Sequence, residues 1–548
     1  MLDPALVARA QAWRDADPDP ATATALGLLL GKAQDGDPDA AAELADAFDG
    51  RLTFGTAGLR AALGPGPNRM NRVVVQQAAA GLARWLIAQG HGGERVVIGH
   101  DARYNSDVFA LDTAEILGGY GLAPLLTETF VPTPVVAFGI RHLGCVAGVV
   151  VTASHNPPQD NGYKVYVGPS QIVPPTDAQI AGEIAAVAEA GIDTIPRGEY
   201  QTVGAELLDA YVARAASLIE PDAPRALTWA YTPMHGVGGA VVERIVAAAG
   251  LPEPAVVAEQ AQPDPAFPTV TFPNPEEPGA MDLALALAEA SGADVAIAND
   301  PDADRCALAA PVGGRWRMLT GDELGVLLAD DALRHGRSGT YACSVVSSTM
   351  LGELATAHGQ PFAITLTGFK WIGRVPGLAF GYEEAIGYCT DPDAVADKDG
   401  ITALVRIAGM AAALKAAGTT VAERLDDLAR TYGLHLTSQL AFRVADLSLI
   451  TDAMARLRAH PPATLGGEPV AFSDLADGWR GLPPTDGVLL AGEHVRVVTR
   501  PSGTEPKLKC YLQVRLPAAD SADVGAARRR AEEAMAGVRA EMAAALGL

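Results

Sequence analysis

Cysteine is scarce in this 548-residue chain. Cys145, Cys306, Cys343, Cys389 and Cys510 are its five, an odd number with no CxxC pair among them. Disulfide frameworks and thiolate metal sites need paired spacings, so the expectation is reduced thiols in a cytoplasmic protein. Long hydrophobic runs are missing as well. No stretch of about 18 uncharged apolar residues occurs, so no membrane span is expected. The opening residues, MLDPALVARAQAW, lack a basic segment followed by an apolar run, and no signal peptide is expected. Positive charge is in deficit: 41 Lys and Arg stand against 65 Asp and Glu, a net charge of −24. Such a surface repels phosphate backbones and anionic headgroups, which argues against nucleic-acid and membrane partners. A small basic pocket for one phosphate stays compatible with it. Oligomeric state is not readable from any of these features.

What is present indicates several cores. Apolar residues make up 49% of the chain. A prior of roughly 150 residues per domain gives three or four domains. Residues 1–50 are Ala- and Asp-rich with helical spacing and read as a helical N-terminal extension. Beyond them, short β-rich apolar runs (Arg95–Gly99, Val146–Thr152, Leu227–Tyr231, Asp294–Ala298, Tyr341–Val346) alternate with helical patterns such as Val73–Gln89 and Met350–His358. That alternation predicts α/β units with parallel or mixed sheets. From about Leu436 the pattern changes to alternating apolar residues and a final Ala/Arg/Glu-rich helix. Boundaries fall near 203, 320 and 437, giving segments 1–203, 204–320, 321–437 and 438–548. The Pro-rich piece Gln262–Pro278 reads as a structured loop rather than a linker.

Four motifs carry chemistry. In Asp300-Pro-Asp302-Ala-Asp304-Arg305, three carboxylates at alternate positions follow an apolar strand. Hard oxygen ligands so spaced suit a divalent cation such as Mg²⁺. The bland alternative is a solvated acidic turn. An EF-hand is excluded, because Arg305 stands where its Gly would be and Pro311 where its Glu would be. Thr152-Ala-Ser154-His155-Asn156-Pro157-Pro158 also follows an apolar strand, which places Ser154 on an exposed turn. A Ser beside a His can be an activated nucleophile, or these can be ordinary turn residues. No GxSxG elbow supports a hydrolase fold. Arg500-Pro-Ser502-Gly503-Thr504-Glu-Pro-Lys-Leu-Lys509 offers backbone amides, hydroxyls and cations that fit a phosphate dianion, or else a charged β-turn. Gly236-Val-Gly238-Gly239 reads as a tight strand-to-helix turn, not a nucleotide loop. Last, Glu383 and Glu384 sit between glycines in GYEEAIG, with Lys398-Asp399-Gly400 following. Paired carboxylates can accept from sugar hydroxyls, or can be solvated in a loop.

In this order along the chain the motifs resemble the α-D-phosphohexomutase superfamily of phosphoglucomutases, phosphomannomutases and related phosphopentomutases. The resemblance runs from about Arg51 to Leu516. TASHNP and DPDADR match closely, GYEEAIG and RPSGTEPKLK more loosely. It implies four domains around a central cleft: three related α/β domains with mixed sheets plus a smaller C-terminal α+β domain. It implies a phosphorylated Ser154 whose phosphate, with Asp300, Asp302 and Asp304, holds Mg²⁺. It implies that His155 and Lys164 (in NGYK) assist proton transfer, that Lys398 is a general acid, and that Arg60 (in GTAGLR) and Arg305 are active-site cations. Glu383 would bind sugar hydroxyls, Gly368-Phe369-Lys370 would form another sugar-facing loop, and Arg500, Ser502, Gly503, Thr504 and Lys509 would grip the non-reacting phosphate. The implied substrate is a small phosphosugar, with a hexose 1,6-bisphosphate as activator. Ala385 departs from the Glu-Glu-Ser of many members, which predicts shallow selectivity: glucose first, mannose or pentose phosphates close behind. A metal-dependent phosphatase, a non-catalytic phosphosugar-binding protein and a sugar-bisphosphate synthase are the rival readings.

Overall fold

Three helices open the chain, and each begins at an Asp-Pro pair. Asp3, Asp19 and Asp37 cap Pro4–Ala16, Pro20–Gln34 and Pro38–Ala47, accepting amide hydrogens of the first turn. Proline takes the first helical position, where its missing N–H removes a donor that would have had no partner. Leu6, Leu26, Leu30, Leu44 and Phe48 form the small core between the three helices, as the helical spacing predicts. The computed structural model describes residues 2–444, 448–502 and 507–547. It divides into two units, Met1–Ala307 with Asp391–Arg406, and Leu308–Thr390 with Ile407–Leu548.

In the first unit a seven-stranded mixed sheet has the order Leu59–Ala62, Asp160–Val167, Ala147–Val151, Arg95–His100, Ala123–Thr127, Gln201–Val203, with Ser170–Gln171 attached to Asp160–Val167. The strands Ala147–Val151, Arg95–His100, Ala123–Thr127 and Gln201–Val203 run parallel. Their apolar runs are continuous because helices cover both faces. Gly81 permits the close crossing of two of those helices; a Cβ there would meet Ile184 Cγ1 at 2.4 Å. A second parallel set has Trp229–Thr232 between Ala255–Val256 and Val295–Asn299. The loop Gln262–Pro278 contains no regular element yet buries Phe267 and Asn274, so it packs as expected of a structured loop.

Two larger sheets lie in the second unit, beside the two-stranded pair Thr464–Leu465 and Glu468–Pro469. Phe362–Thr365, Thr340–Ser344 and Leu378–Glu383 are parallel, and Gly387–Cys389 closes the edge antiparallel. The other sheet is antiparallel throughout, in the order Leu434–Arg443, Lys507–Leu516, Val495–Pro501, Val488–Ala491, Ala471–Asp474. The helices Ser448–Ala459 and Val524–Leu546 pack on it through Met454, Leu457, Met535, Val538 and Met542. This is the α+β character expected near the C-terminus. No single helix among the described residues is long and apolar enough to cross a membrane.

Candidate active site

The strand Ala147–Val151 is buried at all five residues and delivers the chain into the turn that carries Ser154. Ser154 takes a left-handed backbone, φ 51°. Its N–H donates to Thr152 Oγ1 at 2.8 Å. Its Oγ donates to Asp300 Oδ2 at 2.8 Å and lies 3.2 Å from His155 Nδ1. Ser154 is 2% exposed, so the exposed turn read from the sequence is corrected to a buried one. The cause is the acidic loop, which the sequence places far away and the fold brings onto the serine. His155 is half-buried; burial, then the Arg305 and Arg60 guanidinium groups, hold its imidazole well below the usual range.

The acidic loop leaves the strand Val295–Asn299, with Ala303 at φ 55°. Asp300, Asp302 and Asp304 are all buried, and one oxygen from each lies within 4.8 Å of the others. Three buried carboxylates repel one another, and the site answers with cations. Lys164 Nζ donates to Asp302 Oδ2 at 2.6 Å and to Asp304 Oδ2 at 2.7 Å. Lys398 Nζ stands 3.4 Å from Asp304 Oδ2, and Arg305 Nε 3.8 Å from its Oδ1. Thr133 Oγ1 donates to Asp302 Oδ2 at 2.6 Å. Burial, then Asp302 and Asp304, push the Asp300 carboxyl well above the usual carboxylate range. Burial also works against Asp302 and Asp304, but Lys164 overcomes it at both, helped by Lys398 at Asp304, and both sit below that range. Asp302 Oδ1 and Asp304 Oδ1 are buried with no hydrogen-bond donor. Buried carboxylate oxygens without a donor are costly. A hard divalent cation supplies the missing partner, so the donor set fits Mg²⁺.

Arg60, on the strand Leu59–Ala62, donates to Asn156 Oδ1 at 3.2 Å, and burial lowers its pKa. Lys398 lies on Asp391–Arg406, a segment that belongs to the first unit although it comes late in the chain. Its two neighbours are fastened. Asp397 accepts from Tyr166 Oη and Gln171 Nε2, each at 2.7 Å, and Asp399 accepts from Tyr211 Oη at 2.8 Å. Burial pushes the Asp399 carboxyl up to about 6, against the Thr402 amide and the Tyr211 hydroxyl that favour its ionised form. The sequence reading named Asp399 only as the neighbour of Lys398 and missed Thr133, Tyr166, Tyr211 and Asp397. No local motif marks them.

In the second unit Glu383 ends the strand Leu378–Glu383 and is buried. Glu384 accepts from Ser344 Oγ at 3.1 Å and Ser347 Oγ at 3.3 Å; burial, then Asp322, raises its carboxyl. Neither glutamate is solvated in a loop. Arg500 and Lys509 are direct cross-strand partners, and Ser502 N–H donates to Lys507 O at 2.8 Å. Like charges directly opposite on a sheet are destabilising, and here Lys509 acts on the Glu384 carboxylate and Arg500 on the Tyr511 hydroxyl. Burial pushes up the Tyr511 hydroxyl, and Glu384, Arg500 and Glu383 all act on it. The glutamate turn and the cationic hairpin therefore face one region of this unit. Gly503 and Thr504 lie outside the described residues. Gly368 takes φ 108° and Lys370 is half-buried. The Phe369 side chain departs from the sugar-facing expectation, packing in a core with Ala342, Ile372 and Cys389.

Three family models cover most of the chain. Phosphoglucomutase/phosphomannomutase α/β/α domains I, II and III match residues 51–191, 209–313 and 320–432. The chain belongs to the phosphoglucomutase/phosphomannomutase family. It is 47% identical over 456 residues to a Haemophilus influenzae protein named "Probable phosphomannomutase", covering 81% of this chain and 93% of that one. It is 35% identical over 539 residues to the Homo sapiens phosphopentomutase, covering 87% of each. Among solved structures, a Burkholderia thailandensis phosphoglucomutase/phosphomannomutase family protein shares the fold with a TM-score of 0.67 and 20% identity, over 89% of this chain and 99% of that one. The architecture is thus three α/β/α domains with mixed sheets and a further C-terminal α+β domain. As a phosphoglucomutase/phosphomannomutase family enzyme, the protein is a phosphotransferase-type mutase of the α-D-phosphohexomutase superfamily. The family is Mg²⁺-dependent, and among the described residues the triad of Asp300, Asp302 and Asp304 is a group that could hold the ion.

Proposed function

We propose that this enzyme interconverts the 1-phosphate and 6-phosphate of a hexose through a phosphoserine at Ser154. The observation that carries the reading is the Ser154 hydroxyl 2.8 Å from Asp300 within a buried acidic triad. A hydroxyl hydrogen-bonded to one carboxylate of a cation-binding set is where a transferable phosphoryl group finds charge neutralisation. Mg²⁺, held by Asp300, Asp302, Asp304 and the Ser154 phosphate, would supply Lewis-acid neutralisation of phosphoryl oxygens. The chain's own residues do the rest. The sugar hydroxyl attacks phosphorus, the new O–P bond forms, and the bond to Ser154 Oγ breaks. The hydroxyl proton passes to a neighbouring base, a role for His155 assisted by Lys164, and Lys398 as general acid gives a proton to the departing Ser154 oxygen. Arg305 and Lys164 neutralise charge around the loop. Glu383 holds sugar hydroxyls, and Arg500 with Lys509 grips whichever phosphate is not reacting. The bisphosphate then returns its other phosphate to Ser154, and the same bisphosphate acts as activator.

Glucose is the first substrate to test, with mannose beside it. The relative named a phosphomannomutase supports a hexose. A pentose phosphate is the second reading, favoured by the relative named a phosphopentomutase at matching length. Ala385 supports overlap between the two, because a lost hydroxyl leaves one fewer polar group to reject an analogue. The test is Ser154→Ala beside wild type, assayed on glucose, mannose and ribose 1-phosphates with the bisphosphate present. Turnover should fall at least ~10³-fold while the circular dichroism spectrum is kept, and intact-protein mass of wild type should find one phosphate on Ser154. Wild-type turnover in the alanine variant would overturn the phosphoserine. A ribose preference beyond tenfold in kcat/KM would move the assignment to pentoses.

A further inference from the structure

A charged side chain far from the acidic triad in sequence lies directly behind Ser154. Arg103 is 4% exposed, in the loop after the strand Arg95–His100. Its guanidinium is spent on backbone carbonyls of a single turn. Nη1 donates to Pro157 O at 2.9 Å and Asp160 O at 3.1 Å; Nη2 donates to Ser154 O at 2.6 Å and Asn156 O at 2.5 Å. Nε stands 3.3 Å from Asp101 Oδ2, and Asp101 Oδ1 accepts from the Arg103 amide and from Ser106 Oγ. The opposite face of the guanidinium is closed by the Phe267 ring, 4.8 Å from Cζ to centroid, which comes from the Pro-rich loop.

Four carbonyls converging on one cation is an expensive arrangement for a turn unless its shape matters. Without the guanidinium the Ser154, Asn156 and Asp160 carbonyls lose this donor, and Pro157 O keeps only the Asp160 amide, at 3.1 Å. Only the planar fork of Arg reaches four oxygens at once; an ammonium is a point donor on a flexible stem. The turn so held has a left-handed residue, and that residue is Ser154 itself. Guanidinium contact with the Ser154 and Asn156 carbonyls therefore fixes where Ser154 Oγ stands relative to Asp300.

We propose that Arg103 is a positioning residue that acts through Ser154: it sets the turn geometry, and so governs the phosphoryl-transfer step rather than substrate binding. This rests on the reading of Ser154 as phosphoryl carrier. Misplacement of a reacting group by about 1 Å costs on the order of 10²-fold in rate.

The test compares Arg103→Lys and Arg103→Met with Arg72→Met, all in the full chain. Arg72 pairs with buried Asp112 at 2.7 Å in the same unit but touches none of the triad in the described contacts, so it controls for general destabilisation. Ser154→Ala is run alongside. For each variant, kcat, KM for the sugar phosphate, the melting temperature and the single-turnover rate of Ser154 phosphorylation by hexose bisphosphate are measured. Both Arg103 variants should lose about 10²-fold in kcat and in the phosphorylation rate, with KM within threefold of wild type and Lys no better than tenfold above Met. Arg72→Met should keep wild-type kcat at a similar melting temperature. If Arg103→Met does not fold, Phe267→Leu, which removes only the ring behind the fork, should still slow phosphorylation with KM unchanged. Wild-type phosphorylation rates in the Arg103 and Phe267 variants, or a loss confined to KM, overturn the inference. If those rates are normal while Ser154→Ala is inactive, only the Arg103 inference fails. If Ser154→Ala is active, the phosphoserine reading fails first.

Discussion

Asp302 is bound through one oxygen only: Lys164 and Thr133 donate to Oδ2, and Oδ1 has no donor. One oxygen is thereby oriented by the protein and the other is left for a cation. Asp302→Asn keeps the shape, halves the acceptor capacity and turns a carboxylate into an amide that cannot neutralise Lys164. The expected outcome is a Mg²⁺ concentration for half-activation raised at least about tenfold, since even changes behind a metal ligand cost 10–100-fold. Exhaustive chelation of wild type should abolish turnover, and added Mg²⁺ should restore it. A Mg²⁺ titration of activity decides both, and an unchanged half-activation concentration in Asp302→Asn would remove Asp302 from the ligand set. The same residue shows what a sequence can carry. The three aspartates, which alone could be a solvated acidic turn, were legible through their place in the order of four motifs along the chain. Thr133 was not, because its only link to Asp302 is spatial.

At the level of elements, the strand-turn units were legible from the apolar runs that became Ala147–Val151 and Val295–Asn299, each ending at a motif. Burial of those motifs was not. Local composition says turn, and turns usually lie at the surface; only the pairing of two distant turns puts Ser154 and the triad inside. The turn Gly236-Val-Gly238-Gly239 has the same lesson. It reads as a tight strand-to-helix connection, and it is one, leading into the helix Gly239–Ala249. Yet its first glycine has a second duty. A Cβ on Gly236 would meet Pro301 Cα and O at 2.4 Å, and the Val237 amide donates to Pro301 O at 2.8 Å. This turn is the floor under the acidic loop. Gly236→Ala must therefore displace backbone, not a flexible side chain, between Asp300 and Asp302. The prediction is a loss of about 1–3 kcal/mol of stability, the usual cost of overpacking, together with a weaker Mg²⁺ requirement profile: half-activation at higher Mg²⁺. Gly238→Ala serves as the comparison, since its Cβ would first meet the Ala303 methyl at 3.0 Å. Equal Mg²⁺ dependence in Gly236→Ala and wild type would show that the contact with Pro301 is packing alone.

At the scale of the whole molecule, the residues of the proposed mechanism are divided: Ser154, the triad, Lys164 and Lys398 belong to one unit, Glu383, Arg500 and Lys509 to the other. A pH-sensitive group lies in the second unit. His435 begins the antiparallel sheet on the strand Leu434–Arg443, directly opposite Arg515. Its Nδ1 lies 3.2 Å from Thr349 Oγ1 and 3.4 Å from Gln513 Nε2. Gln513 Nε2 can only donate, so Nδ1 is an acceptor, and a proton placed there would oppose the amide. Burial, then the Arg515 cation, pull the imidazole pKa from 6.5 down to about 4. The sign follows from linkage. Between these values the unfolded chain binds a proton that the folded unit refuses, so stability is complete above pH 6.5 and falls as pH drops toward 4, below which this term is constant. A difference of that size is worth on the order of 3 kcal/mol. Nothing of the kind could be read from the sequence, where His435 is one histidine between two leucines. His435→Gln keeps a polar side chain but removes the titration. In urea denaturation of the full chain followed by the fluorescence of its six tryptophans, of which Trp316, Trp371 and Trp479 lie in the second unit, the wild-type midpoint should fall between pH 6.5 and 4.5 by more than that of His435→Gln. Parallel pH dependences in the two proteins would show that His435 binds its proton equally well folded and unfolded.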